Sequence, residues 1–235
     1  MPYTVDDLIR QFRSDVYDRP DVDGEGNPRD TLWSHEDVMH YLRTALSQWA
    51  KDTLAVRYNV TLDVTPGKAR YYAGREIIEI ARAALVLGSD PAARPRPLAQ
   101  FNLGDACYAD DYGMVYLTTY DIENRQGVPR AITRDYDPTY LRLFPIPTEA
   151  GFLHLNLVVY PPLADCGMPL PSDNMQDIHL LLLYMKHLAY AKQDADVQDL
   201  SRSAEYLQQY RALVRERMYT LDRERRGGGI IRPRW

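Results

Sequence analysis

Between Ile178 and Ala191 the sequence puts apolar residues on almost every side of a helix. Ile178, Leu181, Leu182, Met185, Leu188 and Ala189 make one stripe; Leu180, Leu183, Tyr184 and Ala191 add a second. A helix apolar on most sides has to be buried on most sides, so other elements must surround it. Pro169, Pro171 and Ser172 close off what precedes, and the polar break Gln193-Asp194-Ala195-Asp196 follows. A second helix is predicted from about Ser201 to Arg225, with a single stripe of Ala204, Leu207, Tyr210, Val214, Met218 and Leu221. It should cover the first helix and turn its arginines toward solvent or a neighbouring subunit.

Beyond this hairpin stands Arg226-Gly227-Gly228-Gly229-Ile230-Ile231-Arg232-Pro233-Arg234-Trp235. Three glycines loosen the segment, while two isoleucines and a tryptophan suit solvent poorly. The pattern predicts an extended arm whose apolar anchors dock on a partner. Charge follows the same division. From Leu200 onward nine arginines face four acids, a surplus of five, so a chain of net −5 carries −10 in its first 199 residues. Opposite ends are therefore expected to meet different partners. The acidic body would repel phosphate, so the basic end alone does not argue for nucleic acid.

Upstream, Thr4 followed by Asp7 fits an N-cap opening a short helix through Leu8, Ile9 and Phe12. Asp18 to Asp30 is loop. Ser34 caps a second helix, with Val38, Tyr41, Leu42, Ala45, Leu46 and Trp49 on one face. After Val56 the period becomes two: Val60, Leu62 and Val64 alternate with polar residues, Pro66-Gly67 is a turn, and Ala69 to Tyr72 could return as the partner strand. Ile77 to Leu87 is assigned as strand because Gly74 and Gly88 bracket it, and Val115 to Tyr120 as another. Ala131 to Asp135, Leu141 to Phe144 and Phe152 to Tyr160 complete the strands. Helices, then strands, then helices predict an α+β fold. N-terminal helices and the C-terminal hairpin form a helical body (1–56 and 170–225), with a mainly antiparallel β region (57–169) between them and the arm at 226–235.

The search for chemistry is mostly negative. His35 and His40 are five residues apart, which turns their rings about 140° from each other around a helix and prevents a shared zinc. Asp194-Ala195-Asp196 with Asp199 lacks the glycine and the distal glutamate of a calcium loop. Cys107 and Cys166 are too few for a disulfide scaffold and are expected to be small buried hydrophobes in a reduced compartment. Met1 to Asp7 lacks the regions of a signal peptide, and the longest apolar run, Leu180 to Met185, is far short of the about 20 residues that span a bilayer. No cofactor, metal or membrane contact is expected.

The order of segments resembles the head-to-tail adaptor (connector) proteins of tailed bacteriophages. The resemblance rests on Leu32-Trp33-Ser34-His35-Glu36-Asp37-Val38, on the Gly127-Val128-Pro129 turn, and on Leu141 to Pro147 followed by Leu155 to Leu163. Leu170-Pro171, His179-Leu180-Leu181 and Ala189 to Asp194 extend it, while Ala99 to Ile122 departs from the pattern. The resemblance implies a non-enzymatic virion protein of the neck, assembled in the host cytoplasm, forming a ring of twelve copies beneath the portal. The ring would extend the DNA channel, pass genomic DNA without sequence-specific binding, and offer tail or nozzle proteins a docking surface. Residues Arg226 to Trp235 would be the portal-docking arm. Arg202, Arg211, Arg215, His179 and His187 are candidates for the subunit interface, and Asp6, Asp7, Asp63, Asp110 and Asp111 for the channel wall. Two other readings are a nucleic-acid-binding regulator using the arginine-rich helix, and a glycan hydrolase pairing Asp110 or Asp111 with Asp135 or Asp137.

Overall fold

The structure, a computed structural model, describes residues 2–18, 31–88, 94–101, 103, 107–110, 113–116, 118–162, 165–192 and 198–225. The helices are α1 (Val5–Asp15), α2 (His35–Thr53), α3 (Thr119–Asn124), α4 (Met175–Ala191) and α5 (Leu200–Arg225). The strands are β1 (Arg57–Val64), β2 (Arg70–Tyr72), β3 (Ile77–Leu87), β4 (Arg96–Pro97), β5 (Ala99–Gln100), β6 (Cys107–Asp110), β7 (Gly113–Tyr116), β8 (Gln126–Gly127), β9 (Ala131–Arg134), β10 (Tyr140–Phe144), β11 (Ile146–Pro147) and β12 (Gly151–Val159). The fold is α+β, with two compact units: Met1–Ala55 with Pro161–Trp235, and Val56–Tyr160.

In the helical unit the entries of α1 and α2 are fixed by reciprocal capping boxes, Thr4 with Asp7 and Ser34 with Asp37. Each satisfies two backbone N–H groups that the helix itself cannot. Val5, Leu8, Ile9 and Phe12 of α1 and Val38, Leu42, Ala45, Leu46 and Trp49 of α2 are buried. The Arg13–Asp18 ion pair at 2.6 Å, and Arg13 Nη2 donating to the Trp33 carbonyl at 3.1 Å, tie the end of α1 to the entry of α2. Trp33 is buried against Phe12 and Tyr190, and its Nε1–H donates to the Ala189 carbonyl at 3.2 Å. The stretch before α4 runs along the N-terminus: Val5 N–H donates to Met168 O, and Leu170 N–H to Tyr3 O, both at 2.9 Å. At the centre sits α4, with Ile178, Leu180, Leu181, Leu182, Leu183, Met185 and Ala189 all buried, as its all-round apolar pattern predicts.

The β unit holds two four-stranded sheets, ordered β1-β12-β3-β4 and β2-β10-β9-β5, with two small ladders, β11-β8 and β6-β7. Pairing is antiparallel except for β5 with β9 and β11 with β8. The two larger sheets share one core: Leu85, Leu153, Leu155 and Leu157 from the first and Tyr71, Ile132, Leu141 and Leu143 from the second. At the start of β12 a Cβ on Gly151 would lie 2.2 Å from the Val86 carbonyl oxygen, so the close pairing of β12 with β3 needs glycine there.

Four local expectations are corrected. The Pro66-Gly67 turn does not make a β1–β2 hairpin: β1 pairs with β12, and β2 with β10. Gly67 N–H donates to Pro147 O at 2.7 Å and Tyr71 OH to Lys68 O at 2.6 Å, so the turn hands the chain from one sheet to the other. The strand expected through Tyr120 ends at Tyr116, and α3 begins at Thr119 because Thr118 and Asp121 form a third capping box. Along α5, Ala204 and Met218 are exposed while Ser203 and Arg217 are buried; polar partners turn the inward face away from the purely apolar stripe. Cys166 is exposed, its Sγ 3.5 Å from His35 Nε2.

Candidate functional site: the C-terminal hairpin

The predicted arm begins where α5 ends, so the site is built from what holds α5. Its inward face carries a polar residue every seven positions, and each is tied to a different place. Ser203 Oγ donates to the His187 carbonyl at 3.1 Å, with His187 Nδ1 2.8 Å from the same hydroxyl oxygen. Tyr210 OH donates to Asp52 Oδ2 on α2 at 2.8 Å, its ring against Tyr184 with centroids 4.9 Å apart. Burial raises the Tyr210 pKa, and the Asp52 carboxylate that accepts its proton raises it further.

The third tie is a buried ion pair. Arg217 is 6% exposed and Asp177, in the first turn of α4, 1%. Arg217 Nε donates to Asp177 Oδ1 at 2.8 Å and Nη2 to Oδ2 at 2.9 Å, a two-point contact. Trp49 Nε1–H on α2 adds a bond to Oδ1 at 3.2 Å, and Ser172 Oγ adds one to Oδ2 at 2.7 Å. Four donors thus converge on one carboxylate and join α2, α4, α5 and the segment before α4. Desolvating both ions opposes folding, and this saturation offsets that cost. Between the turns Leu207 and Leu213 are half-buried and Val214 buried, closing the helix interface with apolar contacts.

Beside the ion pair lies a cleft of about 210 Å³, floored by Leu180 and Leu213 and edged by Met175, His179 and Glu216. Met175 is 65% exposed. Past the pair, α5 continues eight residues to Arg225, while α4 starts only two residues before Asp177. The hairpin therefore ends with α5 outrunning α4, and Met218 and Tyr219 are exposed on the continuing helix.

The predicted residues fall as follows. Arg211 and Arg215 are exposed on α5. Arg202, also exposed, pairs with Asp199 at 3.3 Å and lies over the Tyr190 ring. His179 is exposed at the cleft; His187 is half-buried and engaged inside the hairpin. Asp6 is exposed and accepts the Gly167 N–H at 3.0 Å. Asp7 is the capping partner of Thr4, and the two bonds it accepts there lower its pKa. Asp63 is exposed on β1. Asp110 closes β6, its side chain outside the described structure, as are Asp111 and the arm, Arg226 to Trp235. Sequence reasoning missed the Asp177–Arg217 pair, whose signal was the seven-residue spacing of Ser203, Tyr210 and Arg217.

Of the carboxylates named for glycan cleavage, Asp110 and Asp111 have side chains outside the described residues, and Asp135 and Asp137 hold local structure. Asp135 is buried in an ion pair with Arg70, 3.9 Å from Arg142, and accepts the Tyr136 N–H at 2.8 Å. Asp137 accepts the Thr139 hydroxyl at 2.7 Å and the Thr139 N–H at 2.9 Å, which lower its pKa. Among the described residues no helix is long and apolar enough to cross a membrane. Among the described residues, caps, buried ties and ion pairs account for these charged groups. The family model for SU10 adaptor protein matches residues 3–234, and the chain belongs to that family. It is a phage head-to-tail adaptor, a structural component of the virion at the head–tail junction, and this implies a non-enzyme. No curated protein matches the chain.

Proposed function

We propose that this adaptor forms a ring of twelve copies below the portal, extends the DNA channel and gives tail or nozzle proteins their docking surface. Arg226 to Trp235 form the arm that binds the portal, with Ile230, Ile231 and Trp235 as apolar anchors and Arg232 and Arg234 paired to portal acids. Repetition around the ring multiplies weak single contacts by avidity. Arg202, Arg211, Arg215 and His179 face the next copy. Exposed carboxylates such as Asp6 and Asp63 keep the passing duplex from being gripped, since like charge repels its phosphates. Assembly takes place in the host cytoplasm.

The family membership, joined to a sequence in which three glycines and then Ile230, Ile231 and Trp235 follow α5, supports this reading. Its test is deletion of Gly227 to Trp235. The truncated chain should melt as the full chain does and lose portal binding; a truncated chain that still binds the portal as tightly refutes the assignment of the arm.

A further inference from the structure

We infer that Asp177 and Arg217 are positioning residues for the C-terminal arm: their buried pair fixes the register and rotation with which α5 leaves the helical unit. The inference rests on the arm reading proposed above and goes one step further into its mechanics.

Three observations carry it. First, a buried ion pair is a poor stabiliser, because apolar residues of similar size often serve as well or better. The interface around it already supplies Leu180, Leu213 and Val214. What a two-point guanidinium–carboxylate contact adds is geometry, since it forms at one distance and in one plane. Buried polar groups of this kind are best attested as setters of register between helices. Second, the pair is the last of three ties at residues 203, 210 and 217. Sliding α5 by one turn, about 5.4 Å, would break all three and leave a buried carboxylate and guanidinium unpaired. Third, its place along the helix matters. Eight residues of α5 follow Arg217, about 12 Å of helix, whereas α4 reaches only two residues past Asp177 in that direction, to its first residue Met175. A small rotation at this point is carried outward to the root of the arm. In a closed ring each arm must meet its own portal site, so an error in direction is repeated at every copy.

The experiment replaces the pair by apolar residues in the full chain, Asp177→Leu with Arg217→Met. The expected variant still folds and melts cooperatively, at a lower temperature because Asp177→Leu also removes the acceptor of Trp49 Nε1–H and of the Ser172 hydroxyl. Its amides from residue 218 to 225 exchange at least tenfold faster while those of 203 to 214 keep their protection, and its portal Kd weakens at least tenfold. A folded variant with unchanged portal Kd overturns the inference. Should the double variant not fold, Arg217→Lys decides the matter, because it keeps the charge and loses the two-point contact. A portal Kd at least threefold weaker supports the inference, and an unchanged one overturns it. The arm reading is tested separately by deleting Gly227 to Trp235 in the unaltered chain. If that deletion leaves portal binding intact, the arm reading fails; if it abolishes binding while the pair variants bind normally, only the positioning role fails.

Discussion

Replacing Tyr210 by Phe isolates the middle tie of α5. The Phe ring keeps the contact with Tyr184, so no cavity opens and the change reports one hydrogen bond. A bond to a charged acceptor contributes about 1.5–3 kcal/mol. The lower end applies, because Asp52 is only half-buried and keeps the Gln48 amide at 2.9 and 3.0 Å when the hydroxyl is gone. The expected loss at pH 8 is therefore about 1.5 kcal/mol in urea denaturation. The pH dependence adds a sharper test. The Tyr210 pKa is raised in the folded protein above the unfolded value of about 10. The folded state then holds a proton that the unfolded state releases, so the stabilisation is complete below pH 10 and is lost as pH rises above it. Between pH 8 and pH 11 the unaltered chain should lose about 1.4 kcal/mol relative to Tyr210→Phe, and the gap between them should nearly close. Other buried tyrosines titrate alike in both proteins and cancel in the difference. A gap that stays constant from pH 8 to pH 11, or a variant as stable as its parent at pH 8, refutes the reasoning.

Leu182→Ala, in the fully enclosed face of α4, should cost about 3 kcal/mol in the same denaturation assay. Gly151→Ala presses a methyl onto the Val86 carbonyl, which no side-chain movement relieves, and should destabilise by about 2 kcal/mol, with lost amide protection centred on β3 and β12. Trp235→Ala should weaken portal binding by on the order of 2 kcal/mol per site in calorimetry if Trp235 fills a portal pocket.

Much of the fold was legible because strong local signals agreed with burial. Thr4 with Asp7 and Ser34 with Asp37 announce helix entries through paired side-chain and backbone bonds, and both helices begin there. The two-sided apolar pattern of α4 could be satisfied only at the centre of a bundle. Strand pairing was less legible, because Pro66-Gly67 looks alike in sequence whether the chain returns beside β1 or crosses to another sheet; Tyr71 and the distant Pro147 decide it. The short α3 was hidden by a β-rich run, although Thr118 and Asp121 carried the same capping signature as the other two helices.

The burial of α5 was legible only in part, for a similar reason. Hydrophobicity alone located the face of α5 only to within about one residue, since it ignores polar groups that are buried with partners. Arg217 looked like one more solvent arginine because Asp177 stands forty residues away and is brought to it only by the hairpin. Ser203 and His187 likewise meet only once the hairpin closes. The exposed arginines at 211 and 215 needed no partner to be foreseen, and they stand where the helical period places them.

The central claim, that this adaptor forms a ring matched to the portal, is tested most directly by quantitative mass spectrometry of purified virions. Near-equal copies of this chain and the portal protein are the predicted result. Absence of the chain from virions, or a copy number far from that of the portal, would contradict it.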